Sequence, residues 1–385
     1  MVPTPPLRVL MASTRLPPPG TNATGTPAHV RKTAAAMGVL GVEVSMLEVD
    51  PGSAPQPVGW LGALVRSLSA LRSARADVAH VHGHLAALSV LPAARLLGIP
   101  VVVELHGVYV PSRAGQPGAR PSLSRLGAAA EFPVLRRADH VIAQARAMRD
   151  RIVEGGVPAE RVTVIYPGLR TAEFSDPATL PAEIPGLPAG RPVAMYVGST
   201  HAYQGLDLLA AAQRRLGHAF TFVLVLSRDA GEPEDALARF GFDPECTLVL
   251  HPDDPGRLPS LLAAASVLVH ARPDCPDNRN VQSKLGLYLA SGRPVAATDV
   301  GDYGPLLAPS RGCRLSRPDP ARLAAAIAAA GTDPAVAEGA RRENPAIARR
   351  HFESSANAAQ LLRIYGGLRR ARRTTEPSAF PRSAP

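Results

Sequence analysis

Short apolar runs rich in Val, Ile and Leu alternate along the chain with longer stretches rich in Ala, Leu and Arg. The short runs have the length of buried strands, and the longer stretches have a helical composition. Strands that alternate with helices form parallel sheets covered on both faces, so the pattern predicts an α/β protein. The predicted strands are 7–12, 42–48, 77–82, 100–105, 139–143 and 162–166, then 193–198, 220–226, 247–250, 266–270 and 294–298.

A proline-rich segment divides this pattern into two blocks of similar kind. Residues 176–192 contain five prolines and two glycines without helical or strand periodicity, so we predict a linker there. Parallel sheets bind ligands at the carboxyl ends of their strands. We therefore predict two Rossmann-like parallel-sheet domains that face each other across a cleft. Their predicted bounds are 1–175 and 193–350, followed by a helix at 351–373 and a disordered tail at 374–385.

The positive charge of the chain is concentrated near its C-terminus. The formal net charge is +10, but six arginines lie within residues 363–385 and explain much of the excess. No zinc-finger spacing, aromatic-basic sheet motif or long basic stripe accompanies this charge, so we predict no nucleic-acid binding. Attachment of the basic tail to acidic lipid headgroups stays open as a peripheral membrane association.

Cysteine usage and hydropathy indicate a reducing compartment. The three cysteines are far apart and form no Cys-x-x-Cys pair, which argues against a disulfide framework and a structural metal site. Residues 1–6 carry no secretory signal, and no apolar run approaches the ~20 residues of a membrane span. We therefore expect a cytoplasmic protein that is soluble or lies at the inner face of the cell membrane.

Lysine is rare in this chain, and its position is informative. Of the 42 basic residues, only Lys32 and Lys284 are lysines. Lys284 follows a polar loop and begins a short helix that is predicted to end at Gly292. Free backbone N–H groups and the helix dipole favour an anion at a helix start, and an ammonium adds a compact charge. The position indicates a phosphate site, although two lysines must also fall somewhere by chance.

Small residues and histidines follow the first, third and fourth predicted strands. Residues 17–32 form a loop of small residues around Gly25 that could cradle a phosphate or a substrate. The loop lacks the Gly-x-Gly-x-x-Gly motif, which argues against a dinucleotide-dependent oxidoreductase. His82 and His106 end their strands, and each is followed by a glycine. Such histidines can donate to sugar hydroxyls; an ordinary loop and two structural histidines are the alternatives.

Together these segments resemble the GT-B fold glycosyltransferases, in particular the retaining family 4 group, from Leu7 to about Tyr365. Residues 24–30, Thr-Gly-Thr-Pro-Ala-His-Val, are similar to the family's first loop. The pair His106-Gly107 is similar to its strand-end His-Gly. Residues 284–301 resemble its stretch Lys-Leu-x-Glu-Tyr-x-Ala-x-Gly-x-Pro-Val-x-Ala-Thr-x-x-Gly. The order and spacing of these motifs are more specific than any one of them.

The resemblance implies a glycosyltransferase that moves a sugar from a nucleoside-diphosphate sugar to an acceptor hydroxyl or other nucleophile, with retention. The first domain would then bind the acceptor, which could be a small molecule, a lipid-linked sugar or a polysaccharide, and the second domain would bind the donor. The donor is a co-substrate, no cofactor is implied, and no Asp-x-Asp pair is placed to hold a metal. The oligomeric state stays open.

The resemblance, together with the positions of the chain's own cations, assigns roles to individual residues. His106, Lys284 and Arg279 are the predicted catalytic residues. Predicted substrate contacts are Gly25, His29, His82 and Gly107. Predicted donor contacts are Gly198, Ser199, Gln204, Arg228, Arg272, Asn280, Ser283 and Leu287.

Several family positions carry unusual residues. Ser199 and Gln204 stand where members usually have the Arg and Lys that clamp the diphosphate. Arg279 and Leu287 stand in place of two glutamates, so the carboxylate expected at the donor ribose is absent. We expect phosphate binding to be rebuilt around residues 272–284. These changes also leave open a non-catalytic sugar- or partner-binding protein, or a nucleotide-sugar epimerase that would use Glu104 and Glu131 as acid and base.

Overall fold

A computed structural model describes residues 6–16, 25–49, 58–107, 121–175, 181–226, 233–251, 254–275, 278 and 280–375. The chain forms two compact units. The first comprises Met1–Gln144, Arg149–Val164 and Ser355–Pro385, and the second comprises Ala145–Met148 and Ile165–Ser354. The C-terminal helix therefore belongs to the first unit.

The first unit is built on a parallel sheet of six strands. Its order is β2-β1-β3-β4-β5-β6, and every neighbouring pair is parallel. The inner strands β3 and β4 are buried along their whole length, whereas the edge strand β2 is largely exposed. The strands are β1 (Arg8–Ser13), β2 (Glu43–Glu48), β3 (Val78–His82), β4 (Val101–Leu105), β5 (His140–Ala143) and β6 (Val162–Val164).

The second unit repeats this architecture with a different strand order. Its sheet runs β12-β11-β10-β7-β8-β9, again with parallel neighbours only. Tyr196, Phe222 and Ile327 belong to its buried core. The strands are β7 (Val193–Gly198), β8 (Thr221–Leu226), β9 (Thr247–Leu250), β10 (Val267–His270), β11 (Val295–Thr298) and β12 (Cys313–Ser316).

Helices connect the strands and pack on them. For example, α3 contacts β3 and β4, and α11 contacts β7, β10 and β11. No helix in the described part of the chain is both long and apolar enough to cross a membrane. The helices are α1 (Gly25–Val39), α2 (Val58–Ser73), α3 (His84–Leu96), α4 (Pro121–Arg137), α5 (Arg146–Glu154), α6 (Leu206–Leu216), α7 (Pro233–Phe240), α8 (Leu258–Ala263), α9 (Ser283–Ala290), α10 (Tyr303–Leu307), α11 (Pro320–Thr332), α12 (Pro334–Phe352) and α13 (Ser354–Thr375).

The α/β prediction with two parallel sheets is confirmed, and each of the predicted strands overlaps an observed one. The strand β12 was not predicted. It lies at the edge of its sheet, and Arg314 and Ser316 alternate with apolar residues along it. An edge strand needs only one apolar face, so it lacks the continuous apolar run that marks an inner strand.

The segment predicted as a linker includes residues that pack within the second unit. Ile184 is buried, and the Ala182 N–H donates a hydrogen bond to the Ser260 carbonyl oxygen at 2.8 Å. Residues 176–180 of this segment lie outside the described part, as do residues 376–385 of the predicted tail.

Helix α13 is joined to the first sheet by a buried hydrogen bond. The Tyr365 side chain is fully buried, and its hydroxyl is hydrogen-bonded to Nδ1 of His80 in β3. We expect Tyr365→Phe to lower the free energy of unfolding by about 1–3 kcal/mol, because it leaves a buried ring nitrogen without its partner. Urea unfolding would measure this loss. An unchanged unfolding midpoint would contradict the expectation.

Candidate active site

The order of the strands in the second unit creates a position at which parallel sheets commonly bind ligands. Strands β7 and β10 are neighbours although they are not consecutive, so the chain leaves them in opposite directions. Such a topological switch point forms a crevice at the carboxyl ends of the two strands. Gly198 ends β7, and His270 ends β10 two residues before Arg272. Two of the predicted donor contacts, Gly198 and Arg272, therefore lie around this point.

Lys284 lies at this switch point with its ammonium group directed to the loop after β7. Its Nζ is 2.7 Å from Gln204 Oε1 and 3.1 Å from the Tyr196 hydroxyl. It also lies 4.3 Å from the centroid of the Tyr196 ring, which is a favourable cation–π distance. The lysine of α9 thus adjoins Gln204, the residue that replaces a clamp lysine in the sequence comparison.

The absence of a side chain at position 198 makes this arrangement possible. A Cβ atom at Gly198 would lie 2.7 Å from the Tyr196 hydroxyl and in direct collision with Lys284 Nζ. The Tyr196 hydroxyl donates to the Ser199 carbonyl oxygen at 2.7 Å, which holds the turn that follows β7. A side chain at this position would therefore displace Lys284 Nζ and the Tyr196 hydroxyl from the strand end.

The charge of Lys284 has no counter-ion among the residues that the structure describes. Both hydrogen-bond partners of Nζ are uncharged oxygens. Burial, and secondarily the positive charge of Arg272, lower the pKa of Lys284 well below its ordinary value. A buried cation in this setting is stabilised when an anion enters beside it.

Arg272 organises the loop that leads from β10 to α9. Its side chain is fully buried, and its Nε donates to Asn278 Oδ1 at 2.9 Å. Nη1 donates to the Asn280 carbonyl oxygen at 2.7 Å and to the Tyr303 hydroxyl at 3.1 Å. Nη2 donates to Asn280 Oδ1 at 3.0 Å and also to Asn278 Oδ1. These bonds occupy all five N–H groups of the guanidinium, so its direct effect is to shape the loop.

The remaining predicted donor contacts are dispersed. Ser283 is exposed at the first position of α9, and Leu287 is half-buried on the same helix. Ser199 Oγ is 3.5 Å from Gln204 Nε2. Arg228 and Arg279 lie outside the described residues.

A second polar cluster lies at the corresponding switch point of the first unit, where β1 and β3 are neighbours. His82 and Glu104 face each other in the register of β3 and β4. Glu104 Oε1 is 2.7 Å from Nε2 of His29 in α1 and accepts a hydrogen bond from Gln144 Nε2 at 2.9 Å. His106 Nε2 is 3.1 Å from His82 Nδ1. The predicted residues His29, His82 and His106 therefore come together around one carboxylate.

Burial and neighbouring charges lower the pKa values of two histidines and of the glutamate in this cluster. Burial lowers the pKa of His106 to about 4 and the pKa of His82 well below its ordinary value. Burial alone would raise the pKa of Glu104, but the hydrogen bonds and charges of the neighbouring imidazoles hold it well below its usual range. The cluster thus combines an ionised carboxylate with two imidazoles, His82 and His106, whose neutral forms are favoured by burial.

Sequence reasoning did not identify Glu104 as the centre of this cluster, and it did not identify His80 and Gln144 as members. His80 Nε2 is 3.2 Å from Glu104 Oε2, and its ring stacks on His82 with centroids 4.4 Å apart. The signal was present in the spacing, because residues two apart on a strand point to the same face. His80 with His82, and Glu104 with His106, follow that spacing. Gly25 begins α1, and Gly107 is half-buried directly after His106.

Two protein families match the chain in succession. A profile described as "Glycosyl transferase 4-like domain" matches residues 12–168, and one described as "Glycosyl transferases group 1" matches residues 191–333. The D-inositol 3-phosphate glycosyltransferase 1 of Catenulispora acidiphila is 28% identical over 306 residues, which are 75% of this chain and 71% of that protein.

Solved structures show the same fold at low sequence identity. The sucrose-phosphate synthase of Thermosynechococcus elongatus superposes with a TM-score of 0.75 at 18% identity, over 94% of this chain and 100% of that one. Anabaena HepE, solved with UDP and glucose, superposes with a TM-score of 0.70 at 17% identity, over 94% of this chain and 99% of that one. The two family matches, their order and the glycosyltransferase relative confirm the interpretation of the chain as a glycosyltransferase enzyme. The chain belongs to the GT-B glycosyltransferases of the family 4 type.

Proposed function

We infer that this glycosyltransferase uses a nucleoside-diphosphate sugar as donor and transfers the sugar with retention to an acceptor hydroxyl. The observation that carries this inference is the buried Lys284 ammonium at the β7–β10 switch point, held by Tyr196 and Gln204 without a counter-ion among the described residues. A diphosphate would supply the missing negative charge. HepE, a protein of the same fold, was solved in complex with UDP, which supports a nucleotide ligand for this chain.

The proposed reaction breaks the bond between the anomeric carbon and the donor phosphate oxygen. The acceptor oxygen forms its bond to that carbon on the same face of the sugar, and the departing phosphate oxygen takes the acceptor proton. Negative charge accumulates on the leaving diphosphate, so a fixed positive charge there stabilises the transition state more than the ground state. Lys284 would supply this charge, while Arg272 would hold the loop and α9 in position.

The acceptor is proposed to be a hydroxyl of a small polar molecule, a lipid-linked sugar or a glycan. The inositol-phosphate glycosyltransferase and the sucrose-phosphate synthase are named after small hydroxylated molecules, which supports the small-molecule class. Within the histidine cluster of the first unit, His29 and His106 are half-buried and can donate to or accept from such hydroxyls.

Calorimetry with UDP, GDP, dTDP and ADP tests the donor proposal. We expect one of the four to bind clearly more tightly than the others, and its sugar conjugates then form the panel for transfer assays. Failure of a folded protein to bind any of them would overturn the proposal. Product analysis by NMR tests retention separately, because the anomeric coupling constant distinguishes the two configurations.

The lowered pKa of Lys284 predicts that nucleotide binding takes up a proton. The unliganded amine has a depressed pKa, and an adjacent diphosphate raises it again. Affinity should therefore fall as the pH rises through the pKa of the free protein, and it should level off above the pKa of the complex. Calorimetry in buffers of different ionisation enthalpy measures the proton count. A proton uptake that persists unchanged in Lys284→Met would assign it to another group.

A further inference from the structure

We propose that the outward face of helix α2 in the first unit is a docking surface for a lipid bilayer that contains anionic lipids. We call it the α2 face and define it by Val58, Leu61, Val65 and Arg72. This surface is separate from the donor residues of the second unit and from the arginine-rich C-terminal end of the chain. The proposal does not depend on the identity of the donor or of the acceptor.

The α2 face exposes large apolar side chains along one line of the helix. Val58, Leu61 and Val65 are 63%, 63% and 57% exposed. Their spacing of three and four residues places them on one side of an α-helix. They are three of the seven large apolar side chains that are exposed in the described part of the chain. Such a concentration on one helix is typical of an interaction surface, whereas ordinary surfaces carry single, scattered apolar residues.

The opposite side of α2 carries small residues in the first half of the helix. Gly59, Ala63 and Ser67 are buried, and Ser67 Oγ is 3.4 Å from Ser89 Oγ in α3. A helix that only covers a sheet directs its large apolar side chains inward, because their burial stabilises the fold. Here the small residues face inward and the large ones face outward. Packing within the first unit therefore does not explain the α2 face, whereas contact with a second apolar phase does.

The charge of this helix layer is positive. Neither α2 nor its neighbour α3 contains an acidic residue, and residues 51–76 as a whole contain none. Arg66 and Arg72 are exposed. Arg72 lies seven residues after Val65 and so continues the same line of the helix, while Arg66 flanks it. Arginines beside apolar anchors are attracted to the negative surface potential of a membrane that contains acidic lipids.

A bilayer fits the α2 face better than a second copy of the chain does. It supplies an apolar phase for the three aliphatic side chains and negative headgroups for the two arginines. A second copy would place the arginines of two α2 helices close together, and each chain carries a formal net charge of +10. Like charges of this size oppose self-association. The combination of apolar side chains and arginines without acidic neighbours therefore identifies an acidic lipid surface as the partner.

Co-sedimentation of the full-length protein with unilamellar vesicles tests the proposal. Vesicles of phosphatidylcholine mixed with phosphatidylglycerol are compared with vesicles of phosphatidylcholine alone. We expect the protein to bind the acidic vesicles more tightly, and we expect this binding to weaken as salt is raised, because salt screens the attraction of the arginines. Folded wild-type protein that binds neither kind of vesicle would overturn the proposal without any variant.

A pair of matched double variants locates the apolar contact. Leu61→Gln with Val65→Gln should weaken binding to acidic vesicles by about 10-fold or more, because the apolar area that enters the bilayer is lost. Val39→Gln with Leu40→Gln is the control, since these two exposed residues lie at the end of α1. Helices α1 and α2 connect strands in opposite directions across the sheet, so they cover opposite faces of it. Equal binding by the two double variants would refute the α2 face.

A second pair of variants tests the charge. Arg66→Gln with Arg72→Gln should also weaken binding to acidic vesicles by about 10-fold or more. Arg349→Gln with Arg350→Gln is the control, because it removes the same charge from exposed positions of α12. An equal loss in the control would attribute the attraction to net charge alone and would contradict the proposal.

Light scattering of the protein without lipid tests the competing occupant. We expect the same oligomeric state for the wild type and for Leu61→Gln with Val65→Gln. A wild-type dimer that dissociates in this double variant would assign the α2 face to a second copy and would overturn the bilayer proposal.

Discussion

Replacing Lys284 by methionine is expected to weaken binding of the nucleoside diphosphate by about 10- to 100-fold. A hydrogen bond to a charged group contributes about 1.5–3 kcal/mol, which corresponds to this range. Methionine keeps most of the apolar stem against the Tyr196 ring and removes only the ammonium that lies against Gln204. The rate of transfer should fall further than the affinity, because charge on the leaving group grows in the transition state.

Calorimetry and steady-state kinetics measure the two effects of this substitution. Lys32→Met is its matched control, since Lys32 is the other lysine of the chain and is exposed on α1. The control should retain both affinity and rate. If Lys284→Met bound the nucleotide as wild type does, the phosphate contact would have to come from other residues, and Arg228 and Arg279 would be tested next.

Replacing Arg272 by methionine is expected to lower the free energy of unfolding by about 3–5 kcal/mol. Removal of this fully buried guanidinium has a cost of this size, because several buried acceptors lose their donors and each unsatisfied one costs about 1–3 kcal/mol. Asn278, Asn280 and Tyr303 would all lose donors that reach them from the guanidinium. The loop between β10 and α9 would then lose the group that fixes its shape.

Urea unfolding followed by circular dichroism measures this loss of stability. Arg317→Met is the control, since Arg317 is exposed and the same charge is removed there. We expect the control to change the unfolding free energy by less than about 0.5 kcal/mol. A similar small change for Arg272→Met would show that the buried network contributes little, and the loop would then be held by its backbone contacts alone.

The position of the proposed donor site could be partly predicted from residue composition. Lys284 stood out because lysine is rare in the chain, and its place at a helix start indicated an anion. Its partners could not be predicted in the same way. Gln204 and Tyr196 lie 80 and 88 residues away in sequence, and no local pattern connects them to α9. Arg272 was predicted as a phosphate contact, whereas the structure shows its N–H groups bonded within the protein; its part in donor binding stays a prediction.

In the first unit, too, the sequence indicated single polar residues, but only the structure shows which of them are in contact. The strand-end histidines were singled out one by one, from their type and the glycines after them. Their assembly around Glu104 depends on the parallel pairing of β3 with β4, which aligns His82 with Glu104. It also depends on α1, which brings His29 to the same carboxylate from 75 residues away.

By itself, the sequence determined the α/β class, the described strands other than β12 and the family, because these follow from the local alternation of apolar runs and from ordered short motifs. Tertiary structure decided which polar residues meet. It placed β12 at an edge, joined α13 to the first unit and set Lys284 against Gln204. The physical reason is that hydrophobic periodicity indicates which residues of one segment are buried. A functional site, in contrast, consists of contacts between residues distant in sequence, and these form only when the strands are ordered in the sheet.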